Sequence, residues 1–410
     1  DNHMKKLLST VLVTAMVAAT MTACGGSGSK TEAPAETKAA ETGAAEGAEA
    51  AAPAEGGVLK IGGIGPVTGP AAIYGEAVKN GIQIAVDEIN AAGGINGMTV
   101  EYQFEDDVHD QETAVNAYNT LKDWGMQMLI GTVTSNPCVA VAAESAVDNM
   151  FQITPSATSA ESVKEANVFR VCFSDPNQGS IAAKYIGENG IASKIAVIYD
   201  SSDPYSSGIW NNFDAEAANQ GLEIVAKGAF TADNNKDFSV YLQQAKDAGA
   251  ELIFLPIYYT EASLILAQAS NMGLETIFYG CDGLDGLLDV ENFDTSLAEG
   301  VLLQTPFTTE AEDELTQNFV AKYEEVTGSK PNQFAADGYD ALYIIKAVAE
   351  AQGITADMSI SDMCEAMKTG MTQASFTGLT GADISWGEDG EPNKQPLVVK
   401  IVDGVYQVVK

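Results

Sequence analysis

Apolar positions along the chain alternate between short continuous runs and longer helical periods. After a β-rich run at 58–64, Val78, Ile82, Val86 and Ile89 recur at spacings of four, four and three, which is the spacing of one face of an α-helix. Similar runs predict strands at 58–64, 99–104, 128–130, 195–199, 222–225, 252–255 and 276–279. Helical periods predict helices at 112–124, 179–189, 208–220, 238–248, 261–272, 310–327 and 332–352. This alternation predicts parallel sheets covered by helices.

The predicted elements form two successive α/β units. The first ends near 174–177 and the second near 304–306, after which helices resume. A length of 410 residues with 46% apolar side chains is consistent with two domains, each burying its own core. In open parallel sheets, ligands bind beyond the carboxyl ends of the strands, so the loops after strands are the places to seek function.

Charge and motifs exclude several classes of function. A net charge of −36 repels nucleic acid and anionic membrane surfaces. The glycine-rich loop at 63–75 has Thr68 where a dinucleotide fingerprint needs its third glycine, and it lacks the lysine of a P-loop. The cysteines after Cys24 show no metal-ligand spacing and are treated as small apolar residues, with any disulfide pairing left open. We therefore expect no cofactor, no metal and no nucleic-acid partner.

The beginning of the chain is typical of a targeting segment. Residues 1–3 are interpreted as an expression scar, and residues 4–23 as a signal peptide with two lysines, an apolar middle and a small-residue exit. Cys24 resembles the acylated cysteine of a bacterial lipoprotein, with plain secretion as the alternative. Residues 24–57 form the predicted lipid-anchored linker, because a segment so poor in apolar side chains cannot offset its ordering entropy.

Two loops are rich in hydroxyl groups. Residues 132–136 and 154–159 each follow a predicted strand and lead toward a helix. Hydroxyls and free N–H groups at helix starts can bind a carboxylate, but the same residues are ordinary helix caps. The residues alone leave both interpretations open.

A resemblance extends from Val58 to the end of the chain. It rests on GPVTG at 65–69, DEINAAGGING at 87–97, ITPSAT at 153–158, DFS at 237–239, IYYTE at 257–261 and GCDG at 280–283. These strings resemble the branched-chain amino-acid (Leu/Ile/Val) binding protein family, the type I solute-binding components of ABC transporters. The resemblance implies an α/β fold of two doubly wound parallel-sheet lobes joined by a three-strand hinge, the type I periplasmic-binding-protein fold. The implied boundaries are 58–175 plus 305–385 for lobe 1, and 176–304 plus 386–410 for lobe 2.

The same resemblance implies the ligand contacts. Ser135 and Thr158 match positions that hold an α-carboxylate, and Ser156 matches one whose carbonyl accepts from the ammonium group. Asp282 matches the carboxylate that pairs with the ammonium. The full implied set of binding residues is Tyr74, Ser135, Ser156, Ala157, Thr158, Tyr205, Tyr258 and Asp282.

Two departures from the family pattern bear on specificity. Some relatives carry a cysteine pair where this chain has His109 and Thr134, so that bridge is absent here. Asp282 stands where relatives often have the longer Glu. Both departures loosen the inference of leucine specificity in particular.

The sequence therefore predicts a lipid-anchored solute-binding protein of an ABC importer, on the extracytoplasmic face of the cell membrane. It is expected to be a monomer that captures a neutral, branched-chain-like amino acid and delivers it to permease transmembrane subunits. The alternatives are an amide or aromatic-acid ligand on the same fold, or a ligand sensor. An extracellular α/β enzyme is disfavoured, because His109 is the only histidine beyond the expression scar and no GxSxG motif is present. His109 is predicted to be a solvated loop residue.

Overall fold

Residues 55–409 are described by a computed structural model of the chain. The predicted signal segment, Cys24 and the linker as far as residue 54 lie outside the described residues. Among residues 55–409, none of the helices combines the length and the apolar character needed to cross a lipid bilayer.

Strands and helices alternate along most of the described chain. The strands are β1 Val58–Gly65, β2 Thr99–Asp106, β3 Met128–Gly131, β4 Gln152–Thr154, β5 Val168–Arg170, β6 Lys194–Asp200, β7 Glu223–Phe230, β8 Leu252–Leu255, β9 Ile277–Gly280, β10 Leu302–Thr305, β11 Phe376–Gly378, β12 Gly381–Ile384, β13 Leu397–Val402 and β14 Val405–Val408. The α-helices are α1 Ala72–Ala91, α2 Gln111–Trp124, α3 Ser135–Asp148, α4 Asp175–Glu188, α5 Pro204–Ala217, α6 Ser239–Asp247, α7 Tyr259–Asn271, α8 Glu314–Thr327, α9 Gln333–Ala351 and α10 Ile360–Gln373.

The strands form two large sheets, which we use to define the lobes. Lobe 1 contains a five-stranded parallel sheet in the order β2-β1-β3-β4-β5. Lobe 2 contains a seven-stranded sheet in the order β14-β13-β10-β9-β8-β6-β7. The chain passes between the sheets three times, through residues 171–174, 306–313 and 385–396. The prediction of an α/β fold with two parallel-sheet lobes is confirmed.

Two strands of the larger sheet depart from the parallel pattern. β13 pairs antiparallel with both β10 and β14. The turn between β13 and β14 consists of Asp403 and Gly404, whose φ angles are +50° and +75°. An Asp-Gly turn with two positive φ values matches the right-handed twist of a hairpin, so the chain ends with an antiparallel extension of lobe 2.

Close packing of α1 against α9 positions one side of the interlobe cleft. A Cβ atom on Gly81 would lie 2.1 Å from the carbonyl oxygen of Ala335, so only glycine fits there. The contact brings the rings of Tyr74 on α1 and Phe334 on α9 to a centroid separation of 4.5 Å. Both rings line the cavity described below.

The four cysteines of lobes 1 and 2 are buried in the fold. Cys138, Cys172, Cys281 and Cys364 are free thiols without a disulfide. Burial raises the pKa of the Cys172 and Cys281 thiols well above the ordinary value. Such thiols remain protonated and pack as small apolar groups.

Candidate functional site

The carboxyl ends of the parallel strands in both lobes lead to loops that enclose a small cavity. Its volume is about 10 Å³. Six of the eight predicted binding residues line it: Tyr74, Ser135, Ser156, Tyr205, Tyr258 and Asp282. The other two, Ala157 and Thr158, are fully buried and do not line it. The cavity is thus bounded by hydroxyl groups of lobe 1 and by aromatic rings and a carboxyl group of lobe 2.

The wall of lobe 1 is built from the loops after β3 and β4. The hydroxyl of Ser135, the first residue of α3, accepts a hydrogen bond of 3.2 Å from the backbone N–H of Ser159. The hydroxyl of Ser156 donates to the carbonyl of Val133 at 2.7 Å. The N-cap residue Thr134 makes no side-chain cap to α3. The start of this helix therefore keeps the partial positive charge that a helix N-terminus presents to an anion.

Thr158 lies behind this wall with two unused donors. Its carbonyl accepts the backbone N–H of Asp175 at 2.7 Å. Within residues 55–409, its backbone N–H has no hydrogen-bond partner. Its fully buried hydroxyl makes no hydrogen bond of ordinary geometry, although it lies close enough to the Asp175 carboxyl to oppose the rise in the pKa of that group. A buried donor left unpaired costs about 1–3 kcal/mol, so Thr158 is suited to an acceptor that arrives from outside the protein.

The wall of lobe 2 is centred on Asp282, which directly follows β9. One carboxylate oxygen, Oδ1, accepts hydrogen bonds from the Tyr205 hydroxyl at 2.8 Å and from the Gln178 side-chain amide at 3.0 Å. Gln178 also accepts the backbone N–H of Asp282 at 2.8 Å. Burial raises the pKa of Asp282 to about 6, and the bonds from Tyr205 and Gln178 oppose that rise. The carboxyl group is therefore ionised at neutral pH.

A second buried carboxyl group lies near Asp282. Asp175 is 1% exposed, and its Oδ1 lies 3.4 Å from the same Gln178 amide. Burial raises the pKa of Asp175 well above its ordinary value. Of the two acids, Asp282 is the one that lines the cavity.

Three tyrosines close the cavity. The rings of Tyr205 and Tyr258 stack at 4.5 Å with an interplanar angle of 16°, and Tyr74 meets Tyr258 edge-on at 5.4 Å. A Cβ atom on Gly283 would lie 2.5 Å from the Tyr205 hydroxyl oxygen, so glycine is required beside Asp282. The rings provide an apolar cover over polar groups.

Several hydrogen bonds join the lobes directly. The hydroxyl of Tyr74 donates to the carbonyl of Gly283 and accepts the backbone N–H of Tyr259, the latter at 3.2 Å. The hydroxyl of Thr260 donates to the carbonyl of Pro70 at 2.6 Å. This is the closed arrangement of the two lobes.

A larger cavity of about 440 Å³ lies beside the small one, and Tyr205 and Tyr258 line both. His109 faces it from lobe 1 and lies 3.6 Å from a carboxylate oxygen of Asp203 in lobe 2. His109 lies in the loop after β2, as predicted, but it is not freely solvated, because its side chain is 21% exposed and paired with Asp203. Burial lowers the pKa of His109, but the Asp203 carboxylate outweighs burial and holds it above the ordinary value.

His109 and Thr134, which stand at the positions of a cysteine pair in some relatives, are neighbours here. Nδ1 of His109 lies 2.7 Å from the Thr134 hydroxyl oxygen. A hydrogen bond thus connects the loop after β2 to the start of α3. It also explains why the Thr134 hydroxyl does not cap the helix.

Two α/β lobes with three connections and a polar cavity between them define a two-lobed binding protein. The chain belongs to the periplasmic binding protein family, whose model matches residues 58–405.

Named relatives agree with this family. A Leu/Ile/Val-binding protein homologue of Brucella melitensis is 32% identical over 73% of this chain and 80% of its own length. A branched-chain amino-acid transporter substrate-binding protein of Streptococcus pneumoniae, solved in complex with isoleucine, is 28% identical with a TM-score of 0.78, covering 86% of this chain and 99% of that one. A leucine-binding protein of Thermotoga maritima is 27% identical with a TM-score of 0.77, covering 86% and 98%.

Proposed function

We propose that this chain is the solute-binding protein of an ABC importer and that it binds a neutral α-amino acid between its lobes. The side chain of that amino acid is branched and aliphatic, as in leucine, isoleucine or valine. The protein is not an enzyme. The carboxylate of the ligand faces lobe 1 and its ammonium group faces lobe 2.

The observation that carries the proposal is the opposite chemistry of the two walls. The unpaired donors of Thr158 and the start of α3 suit an anionic group. The ionised Asp282 suits a cationic one. A zwitterion satisfies both at once, whereas either charge without its partner would carry a desolvation cost of several kcal/mol.

An amide or an aromatic acid fits the same walls less well. An aromatic acid has no cation for Asp282, and an amide has no anion for the donors of Thr158. The names of the relatives, which refer to leucine, isoleucine and valine, support the amino-acid assignment.

We further propose that the chain is a monomer anchored outside the cytoplasm through a lipid on Cys24. The binding lobes then reach the permease on the linker that ends at residue 57. Closure of the lobes over the ligand favours the closed population, and the permease would recognise that shape.

Isothermal titration against leucine, isoleucine, valine, alanine and lysine tests the ligand class. We expect the branched-chain amino acids to bind and lysine not to bind, since its second cation has no assigned partner. Benzoate serves as a ligand that lacks the cationic charge, and acetamide as one that lacks both charges. Binding of either one together with no binding of any amino acid would overturn the proposal.

A further inference from the structure

Arg170 is the only arginine in the chain, which has twenty lysines. It ends β5, and its side chain is 0% exposed. Lysine presents a point charge, whereas arginine presents a planar fork of donors in a fixed geometry. A single arginine that is wholly buried, in a chain whose other basic side chains are lysines, indicates a task that needs the fork.

One side of the fork holds the loop after β4. Nη1 donates to the carbonyl of Ala157 at 2.7 Å, and Nη2 donates to the carbonyl of Ser159 at 2.9 Å. The intervening residue is Thr158, whose N–H has no hydrogen-bond partner within the described residues and whose hydroxyl makes no hydrogen bond of ordinary geometry there. The peptide between Ala157 and Thr158 is trans, so its C=O and N–H point in opposite directions. Fixing that carbonyl on Arg170 therefore turns the Thr158 N–H away from the guanidinium.

The same guanidinium also reaches the third connection between the lobes. Nη2 also lies 2.6 Å from a carboxylate oxygen of Glu391. The backbone of Arg170 joins the same segment, because its N–H donates to the Gly390 carbonyl at 3.1 Å and its carbonyl accepts from the Trp386 indole at 2.8 Å. One residue thus touches both the loop of Thr158 and the connecting segment 385–396.

We infer that Arg170 is a positioning residue that holds the Thr158 loop in its anion-binding form and ties it to the connection between the lobes. Arg170 does not contact the ligand. It orients the donors that the ligand carboxylate uses. This inference rests on the proposed function, since it requires a ligand that carries a carboxylate.

A pair of ligands separates positioning from general support of the fold. Leucine carries the carboxylate, and leucinamide keeps the ammonium group and side chain but lacks that charge. We expect Arg170→Lys to weaken leucine binding by about tenfold, the value of one misplaced buried donor. The affinity for leucinamide should fall much less, so the ratio of the leucine affinity to the leucinamide affinity falls. A residue that only stabilised the lobe would weaken both ligands equally.

Glu391→Gln provides a second variant should Arg170→Lys fail to fold. Glu391 is 31% exposed, so its substitution leaves the interior packed while it removes the negative charge that pairs with Nη2. We expect the leucine-to-leucinamide ratio to fall in this variant too, by a smaller factor than in Arg170→Lys. Trp386→Phe is the matched control, because it removes a hydrogen bond to the same residue's backbone and leaves the guanidinium untouched. The leucine-to-leucinamide affinity ratio of Trp386→Phe should equal that of the wild type.

The outcomes are distinct. A wild-type protein that binds neither ligand overturns the proposed function and the inference with it. A wild-type protein that prefers leucine, together with folded Arg170→Lys or Glu391→Gln variants that keep the full preference, overturns the inference alone.

Discussion

The two walls of the cavity reach opposite charge by different means. Lobe 1 uses backbone groups, short hydroxyls and a helix start, with donors of Thr158 that have no partner among the described residues. Lobe 2 uses the single carboxyl group of Asp282, already bonded to Tyr205 and Gln178. The wall of lobe 1 distributes its contribution to ligand binding over several backbone and hydroxyl groups. The wall of lobe 2 makes most of its contribution through one side chain. Single substitutions should therefore affect lobe 2 more than lobe 1.

The largest effect is expected at Asp282. Asp282→Ala should weaken amino-acid binding by about 2–5 kcal/mol, because it leaves the ligand ammonium buried without a counter-charge. Isothermal titration with leucine measures the change. Asp285→Asn is the matched control, since Asp285 is also buried but bonds Gln333 and Tyr406 and does not line the cavity. An unchanged affinity in Asp282→Ala would remove Asp282 from the site.

The equivalent change in lobe 1 should reduce the affinity for leucine by less. Thr158→Val removes one hydroxyl and keeps the backbone N–H, so we expect a loss of about 1–3 kcal/mol in leucine binding. The ligand-free protein should keep or gain thermal stability, because the hydroxyl that is lost is buried and makes no hydrogen bond of ordinary geometry there. Thr158→Ser retains the hydroxyl and should bind nearly as well as the wild type. A loss larger than that of Asp282→Ala would reverse the comparison of the walls.

Lowering the pH should weaken binding through the lobe 2 wall. Asp282 has a pKa of about 6 in the fold against an ordinary 3.8. Because the pKa is raised, the fold favours the protonated form of Asp282. Its contribution to the stability of the ligand-free protein is fully present below pH 3.8 and is lost as the pH rises through about 6. The ligand ammonium requires the ionised form, so affinity should fall by about tenfold per pH unit below 6. Titrations between pH 8 and pH 5 test this, and Asp282→Asn should show a flatter profile.

The smallest effect on binding is expected from the contact between the lobes that His109 makes with Asp203. The pKa of His109 is raised, mainly because the Asp203 carboxylate outweighs burial, with Asp107 and Glu261 adding to it. Its contribution to closure is therefore fully present below pH 6.5 and lost as the pH rises through the raised value. Because both side chains are partly exposed, we expect at most about 1 kcal/mol.

His109→Gln should remove this pH dependence of leucine affinity above pH 6.5 and leave the fall below pH 6 in place. The two trends have opposite signs, which allows them to be separated in one titration series. A His109→Gln variant with the wild-type profile would show that the ion pair does not contribute to closure.

The fold could be predicted where elements are long and buried. Runs such as that of β8 are continuous and apolar, as strands covered on both faces must be. The strand β5 escaped prediction, and β4 was predicted only as a strand without bounds before the loop at 154–159, because three residues show no period. The hairpin of β13 and β14 was missed although its Asp-Gly turn between apolar runs is a readable signal.

The candidate site was predicted only in part. Ser135 and Asp282 follow buried strands, and the family resemblance assigned roles to them. Gln178 carried no such signal, because its bond to Asp282 joins positions 104 residues apart and depends on how α4 packs. The pairing of His109 with Asp203 is likewise a product of tertiary structure, since each residue by itself has the sequence pattern of a polar loop.

The bonds that Tyr74 and Thr260 make across the cleft have a kinetic consequence. Every opening event must break them whether or not a solute is present. They therefore limit the rate of opening and lengthen the residence time of the bound molecule. Thr260, which lines neither cavity, thereby becomes a residue that tunes how quickly cargo escapes without altering which cargo is chosen.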